Sequence, residues 1–244
     1  MTASTAVGNA GIGSWIERRA RAAPDGVALI AGDRSLTYSQ VAARVRRLAN
    51  GLRTLGVGKG DRVAWLGPNH SAFLESLFAA SLLGAAVAPV NHRLDEAEIS
   101  WVLEDIKPRA LIQHCVTGAA AVRGSGFRRI AVAGSLDGAT DFEALIAGSP
   151  GHAVEETVGL DDLCLLPHTS GTTGRPKGVM LTHGNVTWNV VNLLTCADFR
   201  SDDVTIAIVP FFRVGGPGST CCRFCSWAGR WWCQATSIQT ASSA

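Results

Sequence analysis

Amphipathic segments and short apolar runs alternate along the first half of the chain, and this alternation constrains the fold most. From Ser39 to Leu55, apolar residues recur at steps of three and four, as they do on one face of a helix. The apolar run that follows, Val63 to Leu66, is short and lies between turn residues, which is typical of a strand. We expect Ser39 to cap the helix and Gly56 to end it.

The same pattern continues to the middle of the chain. It predicts helices over residues 72–83 and 96–104, with strands over 85–90 and 110–113. Further apolar runs predict strands over 130–132, 163–167, 179–181 and 204–209. Strands that alternate with helices form parallel sheets covered by helices, so the fold class is α/β with largely parallel sheets flanked by helices.

Composition narrows the class of partner. The 244 residues are 47% apolar and 17% charged, which indicates a globular chain, and the net charge is only +2. Basic residues are scattered apart from a cluster over 123–129, so we expect a small-molecule partner and no nucleic acid. Residues 1–14 are small and polar, without a secretory pattern, and we expect them to be disordered.

The longest apolar stretch, Ser76 to Val90, is shorter than the roughly 20 residues of a membrane-spanning helix and contains Gly84 and Pro89. We interpret it as a buried helix followed by a strand, with no transmembrane segment. The expected location is cytoplasmic, and the seven cysteines are then free thiols rather than disulfides.

A loop rich in glycine and threonine joins the apolar run ending at Pro167 to the one beginning at Val179. Its glycines permit positive φ and close approach of the backbone to a ligand, while its hydroxyls and its lysine suit phosphate. On composition alone, a plain hairpin turn is the favoured interpretation of such a loop. A Walker loop is excluded, because Lys177 is followed by Gly178 rather than by serine or threonine. The candidate phosphate contacts are Thr169, Ser170, Gly171, Thr172, Thr173, Gly174 and Lys177.

The loop sequence TSGTTGRPKG, residues 169–178, resembles the signature of the adenylate-forming (AMP-binding) superfamily. Three other segments resemble further motifs of that superfamily in the same order: residues 36–38, 82–91 and 210–216. The resemblance covers about residues 15–218, taken as a partial N-terminal AMP-binding domain, and is nearest to acyl-CoA synthetases of the fatty-acid-CoA ligase type. It implies an acid-thiol ligase that uses ATP, Mg²⁺ and coenzyme A to activate a carboxylic acid, with a fatty acid expected.

The resemblance assigns one more residue and leaves others without a counterpart. Many superfamily members have a histidine beside the substrate carboxylate in the fourth motif, where this chain has Arg213. Arg213 could pair with a carboxylate, or it could be a solvated loop residue. The superfamily's Mg²⁺-binding glutamate, ribose contacts and catalytic lysine follow the fourth motif, so we assign no metal ligand and expect the chain alone to be inactive.

The segment over 219–244 departs from the superfamily pattern and is rich in cysteine and tryptophan. One interpretation is a metal site at Cys222, Cys225 and Cys233, and another is an aromatic patch at a membrane surface. A third is out-of-frame translation. When the reading frame begins one base earlier, the codons of Trp231 and Trp232 can be read as valine codons. We expect this frameshift to begin near residue 218.

Three functional hypotheses follow from these sequence features. The first is an acyl-CoA synthetase whose true product is longer than this chain. The second is a non-catalytic fragment that binds nucleotide or a complementing C-terminal chain. The third is a degenerate product, in which the tryptophan-rich segment replaces a sheet strand and exposes apolar surface.

Overall fold

The computed structural model describes residues 8–116, 122, 126–169, 176–196, 198 and 203–213, together with the backbone of 230–232. The helices of this part are α1 (Gly13–Ala22), α2 (Tyr38–Thr54), α3 (Ser71–Leu82), α4 (Glu96–Ile106), α5 (Phe142–Gly148) and α6 (His183–Cys196). The strands are β1 (Val27–Ala31), β2 (Arg34–Thr37), β3 (Arg62–Leu66), β4 (Ala86–Val90), β5 (Ala110–His114), β6 (Arg128–Val132), β7 (Thr140–Asp141), β8 (Leu163–Leu165), β9 (His168–Thr169), β10 (Lys177–Gly178), β11 (Leu181–Thr182), β12 (Val204–Ile206) and β13 (Arg230–Trp232).

The larger sheet has seven strands in the order β11-β8-β4-β3-β5-β6-β7. Its neighbouring strands are parallel except for β11, which is antiparallel to β8. A second sheet has the order β12-β13-β1-β2, and β9 with β10 forms a separate two-stranded sheet. Parallel strands joined through helices confirm the predicted α/β class.

Helix α3 is the centre of the core, and each of its twelve residues is buried. Such burial is expected of a helix that is apolar on all sides. Gly84, with a φ of +66°, then turns the chain into the fully buried strand β4. The apolar stretch over 76–90 is therefore a buried helix and strand, as predicted. Among the described residues, no helix has the length and apolarity that crossing a membrane requires.

The predicted amphipathic helix is α2, but its cap differs from the prediction. Thr37, not Ser39, is the N-cap: its Oγ1 accepts a hydrogen bond from the Gln40 N–H, while Gln40 Oε1 accepts one from the Thr37 N–H. This reciprocal pair satisfies two backbone N–H donors at the helix start, whereas the side chain of Ser39 alone would not satisfy both. Gly56, with a φ of +89°, follows the helix end, as expected.

Three predicted strands are shorter than their apolar runs by two residues or more, and the first of them, β8, ends at Leu165 rather than at Pro167. Val179 and Met180 belong to no strand, because here the chain passes from β10 to β11 while the Val179 N–H donates to Pro167 O at 2.8 Å. Strand β12 ends at Ile206 rather than at residue 209. The side chain of Asn69 hydrogen-bonds the backbone that follows, so that backbone does not continue the ladder.

The structure describes part of each end of the chain, and these parts can be compared with the expected domain boundaries. The expected disorder over 1–14 is wrong for residues 8–14, since Ile12 is buried and the Ala10 N–H donates to Val158 O at 2.9 Å. Residues 1–7 lie outside the described part. The expected aberrant tail, 219–244, also lies outside it, apart from the backbone of β13, which pairs in parallel with β1 and β12.

Candidate functional site

The candidate phosphate loop closes a two-stranded antiparallel hairpin. Strand β9 pairs with β10 so that Thr169 lies opposite Lys177, and both residues are exposed. Residues directly opposite in a ladder place their side chains on the same face, so the hydroxyl and the ammonium group share one side of the hairpin. The other predicted contacts, Ser170, Gly171, Thr172, Thr173 and Gly174, lie outside the described residues.

The hairpin is fixed at the carboxyl end of the larger sheet. Strand β8 runs parallel to β4, and just beyond it the Leu166 N–H donates to Val87 O at 2.9 Å. The chain then enters the hairpin, whose base is closed by the hydrogen bond from the Val179 N–H to Pro167 O. Open α/β sheets bind ligands beyond the carboxyl ends of their strands, and the hairpin occupies that position.

A histidine of the hairpin, His168 of β9, ties it to helix α4. Nε2 of His168 lies 3.0 Å from Oδ2 of Asp105, and the His168 side chain is only 6% exposed. The ring lies beside Gly178, where an added Cβ would lie 3.4 Å from Nε2. Through its Nε2, His168 hydrogen-bonds helix α4. Asp105 was missed, because nothing local signals a partner 63 residues away.

The fourth motif lies beyond the carboxyl end of β3, where one asparagine side chain holds it. Nδ2 of Asn69 donates to Ala207 O at 2.9 Å and to Val209 O at 3.0 Å, and its Oδ1 accepts from the Phe211 N–H at 2.9 Å. All three polar positions of the amide are thus used by a segment about 140 residues away in sequence. Asn69 was also missed, and its only local signal is a polar residue after a buried strand.

Aromatic contacts complete the attachment of the fourth motif. The Phe211 ring stacks on Phe73 of helix α3, with centroids 4.6 Å apart and an interplanar angle of 20°. The Phe212 ring meets His92 edge to face at 5.6 Å, and the Arg93 guanidinium lies 5.9 Å from its centroid. His92 and Arg93 follow β4 after one intervening residue. These contacts therefore bring the motif to the same sheet edge as the hairpin.

Arg213 is exposed and ends the described part of the fourth motif. Its backbone N–H donates to Pro210 O at 3.0 Å, which closes a turn. Its side chain forms no salt bridge with any described residue, so the guanidinium is available to an anion. Contact with a substrate carboxylate remains a prediction.

Three histidines cluster at the carboxyl ends of β3, β4 and β5, close to the fourth motif. The His70 ring lies 5.1 Å from the ring of His114 and caps α3 by accepting from the Ala72 N–H. Burial lowers the pKa of His70 to about 4, and it also lowers the pKa values of His92 and His114. The cluster is therefore uncharged at neutral pH, and positive charge near the site comes from lysine and arginine.

His183, which follows the loop, has a structural role. It is fully buried, its Nδ1 accepts from the Ile12 N–H at 3.2 Å, and burial lowers its pKa to about 4. A reciprocal pair of hydrogen bonds fixes the start of the next helix, α6. Thr182 precedes α6 and accepts from the Asn185 N–H, while Asn185 Oδ1 accepts from the Thr182 N–H.

The described residues fit a phosphate better than a divalent cation. Thr169 and Lys177 offer donors on an exposed face, as a phosphate requires. No group of three or more His, Cys, Asp or Glu side chains among the described residues is placed to hold a metal ion. We therefore assign no ligand for Mg²⁺ in this part of the chain.

Comparisons with known proteins identify the family of this chain. Residues 16–228 match the family described as AMP-binding enzyme. A feruloyl-CoA synthase from an Amycolatopsis species is 47% identical over 216 residues, which are 87% of this chain and 42% of that protein. An indoleacetate–CoA ligase from Aromatoleum aromaticum is 36% identical, covering 84% of this chain and 41% of that protein. The chain belongs to the AMP-binding enzyme family.

Solved structures show the same fold. The anthranilate CoA ligase AuaEII in complex with anthranoyl-AMP superposes with a TM-score of 0.85 and 25% identity, over 96% of this chain and 46% of that one. A putative long-chain-fatty-acid CoA ligase from Rhodopseudomonas palustris has a TM-score of 0.81 and 29% identity, over 92% of this chain and 57% of that one. The chain thus spans under half the length of the curated relatives named above.

Proposed function

We propose that this chain is the N-terminal portion of an AMP-forming acid–CoA ligase and that its hairpin binds the phosphates of ATP. The observation that carries the proposal is the pairing of Thr169 with Lys177 on an exposed hairpin at the carboxyl end of the larger sheet. Lys177 supplies a compact charge and Thr169 a neutral donor. The remaining donors come from the loop residues between them, whose glycines also let the phosphates approach the backbone closely. These loop residues are Ser170, Gly171, Thr172, Thr173 and Gly174.

The proposed reaction has two steps. A carboxylate oxygen of the acid attacks the α-phosphorus of ATP, which forms an acyl-adenylate and releases pyrophosphate. The thiol of coenzyme A then attacks the acyl carbonyl, which forms the thioester and releases AMP. Negative charge grows on the departing pyrophosphate, so the role of Lys177 and the loop donors is to stabilise that charge. Arg213 would hold the carboxylate of the incoming acid.

We infer that the acid is aromatic. The relatives named above include a feruloyl-CoA synthase and an indoleacetate–CoA ligase, and the AuaEII structure contains anthranoyl-AMP. The fatty acid expected from the sequence has weaker support, from structural neighbours at 28–29% identity: a putative long-chain-fatty-acid CoA ligase and a Mycobacterium tuberculosis fatty acyl CoA synthetase. Ferulate is the first acid to test, because the ferulate enzyme has the higher identity of the two curated relatives.

Pyrophosphate exchange tests whether the chain alone is active and, where exchange occurs, which acid it activates. Exchange of labelled pyrophosphate into ATP is measured with ferulate, indoleacetate, anthranilate and a long-chain fatty acid. We expect little or no exchange by the chain alone, because the resemblance places other catalytic groups beyond the fourth motif. Ferulate-dependent exchange by this chain alone, lost in Lys177→Ala, would show that the described site is sufficient and would contradict the expected inactivity.

A second candidate concerns the segment after Gly218. We propose that residues 219–244 are translated out of frame, since the codons of Trp231 and Trp232, read from one base earlier, can give valine codons. The family match to residue 228 extends past Gly218, so the shift can lie later than expected. Resequencing the gene tests this hypothesis. An alternative frame that lacks the superfamily's later motifs would show that the frameshift hypothesis is wrong. Without a frameshift, the non-catalytic fragment and the degenerate product remain as alternatives.

A further inference from the structure

A groove at the amino end of the larger sheet has two arginines in its lining. Its volume is about 450 Å³, and it lies between the end of α2 and the starts of β5 and β6. The lining includes residues 54–56, Arg109, Phe127 and Arg128, and no acidic residue is among the described residues that line it. A concave surface of this size can hold a small ligand.

Arg109 is held in this groove by one nitrogen of its guanidinium. Its Nε donates to Gly56 O at 3.0 Å, just beyond the end of α2. Gly56 has a φ of +89°, and a Cβ added there would lie 3.2 Å from both Nε and Nη2 of Arg109, so this close approach depends on glycine. Neither Nη1 nor Nη2 donates to a described residue. The guanidinium is therefore fixed in position and can still donate paired hydrogen bonds to an anion.

The sheet places Arg128, the first residue of β6, next to Arg109. The Arg128 N–H donates to Arg109 O at 3.0 Å. Both side chains are exposed, and neither forms a salt bridge with a described residue. Like charges on neighbouring strands repel each other. An anion bound by both guanidiniums would remove this repulsion.

Arg62, at the same end of the sheet, shows how an arginine with a structural role is used here. Its Nε and Nη2 donate to two carbonyls at the end of α4, at 2.9 Å and 3.1 Å, and its Nη1 donates to Gly60 O at 3.2 Å. All three nitrogens thus hold backbone together. Arg109 uses one nitrogen in this way, and Arg128 uses none with any described residue. Contacts within the fold therefore do not account for this pair of arginines.

We propose that Arg109 and Arg128 form a second anion site, which binds the phosphate group of a small soluble molecule. Phosphate suits two guanidiniums because its oxygens accept paired hydrogen bonds from each of them. A concave groove fits a small molecule better than it fits the flat surface of a membrane. The site lies at the amino ends of β5 and β6, whereas the candidate phosphate hairpin follows the carboxyl end of β8. The proposal therefore goes beyond the proposed function and does not depend on it.

Calorimetric titration of pyrophosphate tests the site in the full chain. The titration uses Lys177→Ala, in which the hairpin has lost its charge, so that the remaining binding reports on the groove. We expect Arg128→Gln or Arg109→Gln, added to this background, to weaken pyrophosphate binding by about tenfold, because each removes a charged donor. Arg21→Gln is the matched control, since it makes the same change at an exposed arginine of α1.

Arg128→Gln keeps the test decisive, because the Arg128 side chain forms no hydrogen bond or salt bridge with a described residue and its loss should leave the fold intact. Melting temperatures of all variants check this. The proposal is wrong if Lys177→Ala binds no pyrophosphate, or if the added Arg128→Gln leaves that binding unchanged. Equal weakening by Arg21→Gln would show unspecific attraction to positive charge and would also overturn it.

A vesicle assay distinguishes the source of the phosphate. The full chain should not bind phosphatidylglycerol vesicles through the groove. Vesicle binding that Arg128→Gln abolishes, without pyrophosphate binding, would make a lipid headgroup the ligand and overturn the choice of a soluble molecule. ATP titration of the wild-type chain and Lys177→Ala tests the hairpin separately, so either proposal can fail alone.

Discussion

Helices α3 and α6 are both rich in apolar residues, yet their surroundings differ. Every residue of α3 is buried, whereas α6 buries only His183, Val186 and Val190 among its described side chains. Helix α3 packs with α1 and α2 on one side and precedes the buried strand β4. The difference teaches that apolar content predicts a helix but not the number of layers around it. That number depends on which other segments are present to pack against it.

The largest effect expected from this comparison is on folding. Phe73→Ala in α3 should lower the free energy of unfolding by about 3–5 kcal/mol, because it removes a buried ring that contacts both Trp65 and Phe211. Trp188→Ala in α6 should change it by no more than about 0.5 kcal/mol, because that ring is exposed. Denaturant unfolding of both variants checks this, and equal losses would show that α6 is already covered.

The buried ion pair between α2 and α3 should have the next largest effect. Glu75 is almost fully buried and its carboxylate accepts from the Arg44 guanidinium, which also binds Glu143. Arg44→Leu leaves a buried carboxylate without its main partner and should cost about 3 kcal/mol at neutral pH. Arg53→Leu is the control on the same helix; its contact with Glu156 is partly exposed and should be worth under about 1 kcal/mol.

The ion pair also predicts the sign of a pH effect. Burial raises the pKa of Glu75, so the folded state binds a proton more readily than the unfolded state does. In Arg44→Leu the stability should therefore recover as pH falls below the raised pKa and should be lost as pH rises through it. Unfolding curves over a pH series measure this. A penalty that grows on acidification would contradict the assignment of a buried carboxylate.

A smaller effect is expected where α1 meets the end of α3. A Cβ added at Gly13 would lie 2.6 Å from Leu82 N and 2.7 Å from Ser81 C, which are backbone atoms that cannot move aside cheaply. Gly13→Ala should cost about 1–3 kcal/mol by overpacking. Gly148→Ala is the control, since no atom lies within 4 Å of its added Cβ. Thermal unfolding compares the two, and similar midpoints would show that α1 is not held against α3.

The contact between the hairpin and α4 should have the smallest effect on stability, with a measurable effect on binding. Asp105 is half exposed, so Asp105→Ala should lower the free energy of unfolding by no more than about 1 kcal/mol. The substitution nevertheless removes the hydrogen-bond partner of His168 in the hairpin. We expect ATP affinity to fall several-fold in Asp105→Ala and to be largely retained in Asp105→Asn, whose amide oxygen still accepts from Nε2. Unchanged affinity in both variants would show that the hairpin needs no support from α4.

Much of the fold could be predicted from local patterns. The spacing of apolar residues located α2 and α4, and the alternation of apolar runs with turn residues located α3 and the strands between these helices. The hairpin of β1 and β2 was missed although Gly32, with a φ of +59°, and Asp33 form a two-residue connection of a recognisable kind. Helix α1 was missed because small residues before it suggested disorder, whereas Ile12 is buried by tertiary contacts.

The site was less predictable than the fold. The loop over 169–178 could be recognised from its own sequence, and the structure places Thr169 opposite Lys177. The side chains that position the site come from elsewhere: Asp105 reaches His168, and Asn69 holds the segment before Phe211. Contacts between residues more than 60 apart depend on strand order, which hydrophobic periodicity does not encode.

The central claim is that the hairpin binds the phosphates of a nucleotide, and calorimetric titration of ATP tests it most directly. Lys177→Ala should weaken binding by about tenfold or more, because it removes a charged hydrogen-bond donor to phosphate. Lys107→Gln is the matched control, since it removes the same charge between α4 and the amino end of β5. Binding that falls only in Lys177→Ala is the predicted result. Equal binding by the wild-type chain and Lys177→Ala, or no binding by the wild-type chain, would contradict the claim.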